Sequence, residues 1–506
     1  MSNPLLPIQL GPLRRTQEAR EAPQPGTLDE SIPVHAVGAA VSRSVRTASI
    51  ATLGCKLNQA ESYRVQVELA SAGVDLVPFG EPSDLCIVNT CTVTHVADQQ
   101  ARQMLRRAAR SSPGGVVVAM GCYAQVSPQE VAAVDGVQLV ITSDKERLIP
   151  QLEAAGLAIG ADTPHDWGVN AGPDHRAPLP ETRVRQFVKV QDGCDDYCTY
   201  CIVPFARGHS SSRPPAHVVG DVQDLMARGC REIVLTGVQI GAYGRDRYYM
   251  KGPDLPAPGA PLAALVRRLL EETEIPRIRI SSIQPQDWSD EFLALFENSR
   301  LCRHLHLPLQ SGSDETLRRM ARRYSTADFA RLVERVRGAM PDVAISADMI
   351  VGFPGESDEQ HEVSLSFARE MGFADVHVFR YSIRRGTAAS RMPGQVAPEI
   401  RRERSEELRA AVASMATAFQ ERFIGTTRSV LWEEELEAVP AEPGAVAVPE
   451  PAFVRKYPPH GPSPTRAWTG LTDNYLRVVR ESRDSLLGTL EPVRLAILRD
   501  NRFWVE

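Results

Sequence analysis

The stretch "QDGCDDYCTYCIVPFARG", residues 191–208, places three cysteines in a short loop, with glycine before them and proline after them. Cys198 follows Cys194 by four positions, and Cys201 follows Cys198 by three. Three thiols at this spacing fit a zinc site, a redox-active thiol set, or an iron–sulfur cluster with one iron left open. The sequence around the loop bears on this choice.

Strands and helices alternate on both sides of the loop. The predicted strands lie at about 185–190, 232–236, 277–281, 303–308, 343–350 and 375–379. Six strand–helix units predict an open (β/α)6 barrel of parallel strands over residues 181–420. The cysteine loop follows the first strand, and Gly-, Ser- and Gln-bearing segments follow the later ones. All of them therefore lie at the carboxyl edge of the sheet, where barrels of this kind bind ligands.

A second alternating series over residues 46–150 predicts a flavodoxin-like parallel sheet with helices on its faces. Cys55, Cys91 and Cys122 each come shortly after one of its strands. Because the carboxyl ends of parallel strands share an edge, we expect these three thiols to meet although they are far apart in sequence.

The other parts of the chain differ in composition. Residues 1–45 are rich in Pro, Arg and Ser and are predicted to be a disordered extension; their acidic residues argue against a transit peptide. Residues 151–180 read as a Gly/Pro/Asp-rich linker. Residues 424–506 contain short strand patterns around a Pro-rich insertion, which predicts a small β-barrel.

One barrel segment is a candidate for RNA contact. "GLTDNYLRVVR" is predicted to be a strand that carries Asn474, Tyr475, Arg477 and Arg480, with one exposed face gripping the RNA backbone. Other candidate phosphate contacts are the arginines at positions 106, 107, 110, 207, 213, 318 and 319. Any such site must be a local patch, because the net charge is -6.

Composition indicates an ordinary globular protein, with 43% apolar and 24% charged residues. No apolar run is long enough to span a membrane, and no secretory signal is evident, so we expect a cytoplasmic protein that does not contact membranes. In such a chain, nine cysteines favour metal or redox chemistry over a disulfide framework.

The three close cysteines favour one of the metal readings. A structural zinc site needs four ligands, and His209, the nearest candidate fourth, is poorly placed to close it. A redox dithiol needs only two thiols. Three thiolates on a four-iron cluster leave one iron for a small chelating cofactor. The spacing, placed after the first strand of a six-unit β/α series, is typical of radical S-adenosylmethionine (SAM) enzymes.

Residues 46–506 resemble the radical SAM methylthiotransferases, which combine a cysteine-bearing N-terminal domain, a radical SAM domain and a C-terminal barrel of the TRAM type. "TLGCKLNQAES" (52–62), "NTCTVT" (89–94) and "GLTDNYLRV" (470–478) are similar to the branch that acts on N6-threonylcarbamoyladenosine at tRNA position 37. "HVFRYSIRRGTAASRMPGQV" (377–396) also resembles that branch, although Arg380 stands where proline is usual.

The resemblance implies a transferase that adds a methylthio group to C2 of that nucleoside, with SAM and two 4Fe–4S clusters as cofactors. It implies that Cys194, Cys198 and Cys201 hold the catalytic cluster and that Cys55, Cys91 and Cys122 hold the second. The expected SAM contacts are Thr236, Gly237, Gln310, Ser311, Gly312 and Gly352.

The expected partners are the anticodon loop of tRNA and an external electron donor, and we expect a monomer. Two other functions remain open: a methylthiotransferase acting on N6-isopentenyladenosine, and an iron–sulfur RNA-binding protein without catalysis.

Overall fold

The computed structural model describes residues 34–36, 43–142, 147–160, 183–246, 257, 259–436 and 466–505. These residues form three units that follow one another along the chain. No helix within these ranges combines the length and the apolar character that crossing a membrane requires.

The N-terminal unit is a six-stranded sheet with helices on both faces. Its strands are β1 (Val34–Ala36), β2 (Arg43–Val45), β3 (Thr47–Thr52), β4 (Asp75–Leu76), β5 (Leu85–Thr90), β6 (Val116–Gly121), β7 (Leu139–Ile141) and β8 (Leu157–Ile159). Its helices are α1 (Lys56–Ser71), α2 (His95–Ser111), α3 (Cys122–Val126), α4 (Pro128–Ala132) and α5 (Leu148–Ala154). The strand order is β1-β7-β6-β5-β3-β4, parallel except for β1, while β2 and β8 form a separate pair.

Strand β5 shows why this sheet forms. Leu85 and Ile87 pack into the core under α1 and α5, whereas Cys86 and Val88 pack into the core under α2 and α4. Side chains alternate between the faces of a strand, so a continuous apolar run fits a strand that is covered on both sides. The prediction of a doubly covered parallel sheet is confirmed.

Two predicted boundaries of this unit are corrected. Strands β1 and β2 lie within residues 1–45, the predicted disordered extension, because their backbones pair with β7 and β8; residues 1–33 lie outside the described residues. Helix α5 and strand β8 occupy the start of the predicted linker, residues 151–180, because Leu152, Leu157 and Ile159 are apolar and complete the core. The rest of that linker also lies outside the described residues.

The central unit supplies the strands β9 (Arg185–Lys189), β10 (Gln191–Asp192), β11 (Ser211–Ser212), β12 (Glu232–Thr236), β13 (Arg277–Ile280), β14 (His304–His306), β15 (Ala344–Val351) and β16 (Asp375–Arg380). Its helices are α6 (Val203–Arg207), α7 (Pro215–Ala227), α8 (Ala260–Glu272), α9 (Asp290–Ala294), α10 (Asp314–Arg319), α11 (Thr326–Ala339), α12 (Asp358–Met371) and α13 (Pro398–Glu421). Capping boxes at Ser325 and Ser357 start α11 and α12, which are the helices before and after β15.

Six parallel strands of this unit form an open arc, as predicted. Strands β9, β12 and β13 make one three-stranded sheet, and β14, β15 and β16 make another. The bridges Ile278–Leu301 and Ser282–His306 join the two sheets, so β13 and β14 are neighbours. The two-residue strands β10 and β11 pair antiparallel and close the base of the loop that carries Cys194, Cys198 and Cys201.

The C-terminal unit is a curled antiparallel sheet of β17 (Thr427–Leu436), β18 (Arg466–Thr472), β19 (Arg477–Ser482), β20 (Leu490–Arg494), β21 (Ile497–Arg499) and β22 (Arg502–Val505). The order is β20-β17-β18-β19-β22-β21, with one parallel pair, β19–β22. The curl is consistent with the small barrel predicted for residues 424–506; the predicted insertion, about 439–466, lies almost entirely outside the described residues. Its TRAM-like character stays a prediction.

The predicted strand through Asn474 and Tyr475 is wrong at these two residues. Both lie in the turn between β18 and β19, where the Thr472 hydroxyl donates to Asn474 Oδ1 at 2.7 Å and Tyr475 has φ 69°. Asn474 is fully buried and donates to the carbonyl of Asp342 at 3.1 Å, so it faces the central unit and cannot contact RNA. Short polar side chains that bond to the local backbone stabilise turns in this way.

Candidate active site

The first cysteine group lies at the carboxyl edge of the N-terminal sheet. Cys55 precedes α1, Cys91 directly follows β5, and Cys122 begins α3 directly after β6. Cys91 and Cys122 are buried, Cys55 is exposed, and none of the three forms a disulfide. Burial, together with the nearby Cys122 and Cys55, raises the pKa of the Cys91 thiol to about 11. Cys55 and Cys122 therefore both contribute to the electrostatic environment of Cys91.

Gly54 shows how closely this group is packed. Its φ is +98°, and a Cβ at this position would stand 2.8 Å from Cys91 Cβ and 3.0 Å from Cys91 Sγ. Both the backbone conformation and the space exclude a larger residue. The "GC" pair at 54–55 thus brings two of the thiol-bearing loops together.

The second cysteine group occupies the loop that β10 and β11 close. Gly193 opens the loop at φ +67°, where a Cβ would stand 1.9 Å from the carbonyl oxygen of His209. Burial raises the pKa of Cys194 and of Cys201 to about 12 each. Protonated thiols of this kind lose their protons when they bind a metal, so the donor set suits a soft, positively charged partner.

The distances between ligand atoms distinguish a site for a metal cluster from a site for a single metal ion. In the described ranges, one group of three possible ligands has all its ligand atoms within 4.8 Å of one another, namely His306, Asp348 and His377. Neither cysteine group is that compact, whereas thiolates on one tetrahedral zinc ion stand only about 3.8 Å apart, given Zn–S bonds of about 2.3 Å. Sulfur atoms this far apart do not fit one zinc ion, so the structure disfavours a zinc site.

Three side chains that the sequence did not single out support the second group. Arg322 Nη1 lies 3.4 Å from Cys198 Sγ and Cys194 Sγ donates to Gln239 Oε1 at 3.5 Å. The backbone N–H of Gln239 donates to Gln191 Oε1, which ties this residue to the loop base. Arg322 and Gln239 are distant in sequence from the cysteines, whereas Gln191 lies three residues before Cys194.

One cleft lies between the loops of the two cysteine groups: Cys201 of the second group lines it, and Val93 and Thr94, which follow Cys91 of the first group, line it too. Helix α3, which begins at Cys122, packs against α6, which follows Cys201. The cleft has an empty volume of about 710 Å³, and its walls bring together Val93 and Thr94 after Cys91, the segment Cys201–Val203, and the ends of β15 and β16. Its aromatic and polar lining includes Tyr200, Gln310, Asp348, Phe379, Arg380, Tyr381 and Ser382.

The six predicted SAM contacts fall into two sets. Gln310 lines the cleft with φ +67°, whereas the others are packed within the unit. A Cβ on Gly312 would stand 2.8 Å from Ser364 Cα, and one on Gly352 would stand 2.1 Å from Arg401 Cγ. Packing against the protein explains these glycines; the same holds for Gly237, where a Cβ would stand 2.8 Å from Gln191 Oε1. Thr236 and Ser311 are buried.

Asp348 holds two histidines inside the arc. His306 Nε2 lies 3.2 Å and His377 Nδ1 lies 3.1 Å from Asp348 Oδ1. The hydrogen bond to Asp348 raises the pKa of His377. Burial opposes ionisation of Asp348, but the two histidines hold its pKa well below the usual range. Asp348, which lines the cleft, is thus a carboxylate held by two histidines.

The candidate phosphate-binding arginines differ in exposure. The Arg207 side chain is only 3% exposed and Arg213 pairs with Asp221 at 2.6 Å, so Arg207 is excluded and Arg213 is already occupied. Arg319 bonds to Gln360. Exposed candidates remain on α2, at 106, 107 and 110, and on α10, at 318.

Sequence comparisons agree with this architecture. The Radical SAM superfamily profile matches residues 188–368, and that of Uncharacterized protein family UPF0004 matches residues 47–142. Threonylcarbamoyladenosine tRNA methylthiotransferase MtaB of Bacillus subtilis is 35% identical over 89% of this chain and 93% of its own length. The tRNA-2-methylthio-N(6)-dimethylallyladenosine synthase of Erythrobacter litoralis is 32% identical over 78% of this chain and 87% of its own.

Among solved structures, the radical S-adenosylmethionine methyltransferase TsrM from Kitasatospora setae aligns with a TM-score of 0.44 and 15% identity, covering 68% of this chain and 77% of TsrM. This likeness is too low to bear on the reaction.

The open six-stranded arc with its cysteine loop defines a radical SAM enzyme. The two cysteine-bearing units and the relatives make the chain a member of the radical SAM tRNA methylthiotransferase family. It is therefore a transferase, and enzymes of this family use SAM and two 4Fe–4S clusters.

Proposed function

We propose that the chain adds a methylthio group to C2 of N6-threonylcarbamoyladenosine at position 37 of tRNA. The observation that carries the proposal is the cleft that Cys201 lines together with Val93 and Thr94, the residues after Cys91, where α3 of one unit packs against α6 of the other. A reaction that needs a radical generator and a sulfur source at one carbon atom requires such an arrangement. The relatives named MtaB support the choice of nucleoside.

In this proposal each cysteine group holds one cluster. Cys194, Cys198 and Cys201 hold the cluster that binds SAM, and Cys55, Cys91 and Cys122 hold the cluster that presents sulfur. When bound, these cofactors supply the one-electron chemistry that breaks the C2–H bond and the sulfur that replaces the hydrogen. Arg322 donates to Cys198 and so tunes the charge on that sulfur. Gln310 is the predicted SAM contact that reaches the cleft; Thr236, Gly237, Ser311, Gly312 and Gly352 shape the surrounding backbone.

The cleft also bears on which nucleoside is recognised. Threonylcarbamoyladenosine carries a carboxylate, whereas the dimethylallyl substituent of the alternative substrate is apolar. Among the described residues that line the cleft, Arg380 is the only cation. No hydrogen bond or ion pair to another described residue engages its guanidinium. An unengaged guanidinium beside an aromatic wall favours a substrate with a carboxylate.

The assay of the anaerobic, reconstituted protein compares tRNA that carries each of the two nucleosides at position 37, with products read by nucleoside mass spectrometry. We expect methylthio-threonylcarbamoyladenosine as the main product. Product from the dimethylallyl tRNA alone supports the alternative enzyme. Absence of product and of SAM cleavage supports a non-catalytic iron–sulfur RNA-binding protein.

Arg380→Gln gives a sharper test of nucleoside choice. A charge-assisted hydrogen bond contributes about 1.5–3 kcal/mol, so we expect KM for the threonylcarbamoyl tRNA to rise at least tenfold. The dissociation constant for tRNA with unmodified adenosine at position 37 should not change. Arg385→Gln is the matched control, because Arg385 is exposed outside the cleft. An equal loss on both tRNAs indicates a phosphate contact and contradicts this reading.

We further propose that the anticodon loop of tRNA enters the cleft, that an external donor supplies electrons, and that the protein acts as a monomer in the cytoplasm. Adenine in a loop can be turned out of its stack into a pocket, which duplex RNA does not allow at comparable cost.

A further inference from the structure

One buried arginine joins the loops of the two cysteine groups. Arg207 ends α6, the short helix after Cys201, and its side chain is only 3% exposed. Its guanidinium leaves the central unit and donates to Glu61 Oε1 at 2.8 Å and to Asn58 Oδ1 at 2.6 Å, both on α1 of the N-terminal unit. A buried guanidinium with this many acceptors has a fixed position.

Asn58 extends this contact to the first cysteine group. Its Nδ2 donates to the carbonyl of Leu53 at 2.7 Å and to the carbonyl of Thr90 at 3.1 Å. Leu53 lies two residues before Cys55, and Thr90 lies directly before Cys91. A single amide side chain therefore holds the backbone at the entrance to two of the three thiol-bearing loops.

Asp192 extends the contact in the other direction. Its Oδ1 accepts from Arg207 Nη1 at 3.0 Å and from the backbone N–H of Gly193 at 2.8 Å. Gly193 is the residue before Cys194. A continuous series of hydrogen bonds thus runs from the Cys55 and Cys91 loops, through Asn58, Arg207 and Asp192, to the Cys194 loop.

The charge of Arg207 also acts on the first group. Burial opposes its ionisation, but Cys122, Asp192 and Glu61 raise the pKa of Arg207 well above its usual value. The guanidinium therefore stays charged beside Cys122. Hydrogen bonds and charges next to cluster thiolates set the electronic properties of the cluster.

We propose that Arg207 is a positioning residue that fixes the distance between the two cysteine groups. This inference rests on the proposed function, because it assumes that both groups hold clusters. The carbon that loses its hydrogen beside one group must meet sulfur beside the other, and small misplacements in such steps are costly. Loss of the Arg207 contacts then lets SAM cleavage continue while transfer of sulfur fails.

The first test measures coupling in the full chain. Arg207→Gln should keep wild-type iron content and SAM cleavage but raise the ratio of 5′-deoxyadenosine to methylthio product roughly tenfold or more. Arg207→Lys keeps the charge without the planar fork, so it should remain uncoupled. Arg213→Gln is the control, since Arg213 pairs with Asp221 within the central unit. A normal product ratio in Arg207→Gln overturns the proposal.

The second test does not depend on turnover. With Cys194, Cys198 and Cys201 all replaced by Ala, only the first group can hold a cluster. Adding Arg207→Gln should then shift the electron paramagnetic resonance spectrum of the reduced cluster, whereas Arg213→Gln should not. An unshifted spectrum contradicts the positioning role.

A further variant tests the same proposal if Arg207→Gln does not fold. Asn58→Asp keeps the acceptor for Arg207 but removes the donor to Leu53 and Thr90, and we expect the same uncoupling with full iron content. Normal coupling in Asn58→Asp also overturns the proposal. The proposed function fails separately if the wild-type chain holds fewer than two clusters or makes no methylthio product.

Discussion

Beside Cys91, the absence of a side chain is as consequential as its presence. Gly54 and Gly73 both have positive φ, +98° and +79°, yet a Cβ on Gly73 would meet nothing within 4 Å. A Cβ on Gly54 would stand 2.8 Å from Cys91 Cβ. Substitutions at Gly54 and Gly73 therefore distinguish the effect of backbone strain from that of a steric clash with Cys91.

Gly54→Ala should remove the first cluster and leave the second. Because the methyl group displaces Cys91, we expect iron content after reconstitution to fall to about half, with SAM cleavage retained and methylthio product absent. Gly73→Ala adds only the strain of an alanine at positive φ, about 1 kcal/mol, and should keep all its iron. Full iron content in Gly54→Ala, measured by a colorimetric iron assay, contradicts the assignment of Cys91.

At the scale of elements, buried ions attach the C-terminal sheet to the central arc. Glu232 begins β12 and is fully buried; its Oε1 accepts from Arg279 Nε at 2.8 Å. Burial opposes its ionisation, but Arg279 holds the pKa of Glu232 below the usual value. Arg279 also donates to the carbonyl of Asp473, and Arg277 donates to the carbonyl of Leu471.

Glu232→Gln should loosen this attachment. It leaves the charge of Arg279 buried without a counterion, which costs about 3–5 kcal/mol. We expect a lower midpoint of denaturant unfolding. The fluorescence of Trp432 and Trp468, which lie in the core of the C-terminal sheet, reports the unfolding. Glu272→Gln, which removes an exposed pair with Arg268, should change the midpoint little. Equal midpoints for the two variants exclude the anchoring role.

Elements that form from local pattern were predictable. Buried runs such as β5 and β6 and the six strands of the arc follow from apolar periodicity, and the strand-end cysteines follow from parallel topology. The turn at Asn474 was not predicted, because a β-branched and aromatic segment hides the turn chemistry of "TDN". Arg207 was misread as a phosphate contact because its partner Glu61 is 146 residues away.

Across the molecule, the C-terminal sheet and the cysteine groups lie at opposite edges of the arc. The sheet contacts the amino ends of the strands, and the cysteine groups lie at the carboxyl ends. Tyr475 stacks on His304, the first residue of β14, with ring centroids 4.3 Å apart, and Asn474 bonds to Asp342 just before β15. These contacts are at the amino ends of the strands, whereas the thiols are at the carboxyl ends. We therefore expect the other two units to recognise the target nucleoside.

Helix α2 is the expected track for the RNA backbone. It starts beside the cleft at Thr94, and at 1.5 Å per residue Arg106 and Arg110 stand about 18 and 24 Å along it. Replacing both by Ala should lower the slope of log affinity against log salt by about 1.4, if each contacts one phosphate. Filter binding of tRNA at several salt concentrations measures this. Arg331 and Arg335, exposed on α11, form the control pair; an equal slope change in both pairs contradicts the track.

The uneven exposure of the first cysteine group makes one thiol accessible to reagents at the contact between the N-terminal and central units, here called the seam. Cys55 is exposed while Cys91 and Cys122 are only 7% and 6% exposed. An alkylating reagent therefore meets Cys55 first, and the two deeper thiols react only when the seam opens. The rate at which Cys91 and Cys122 are labelled after Cys55 thus reports how often the contact between the units opens. Peptide mass mapping measures this rate without any assay of catalysis.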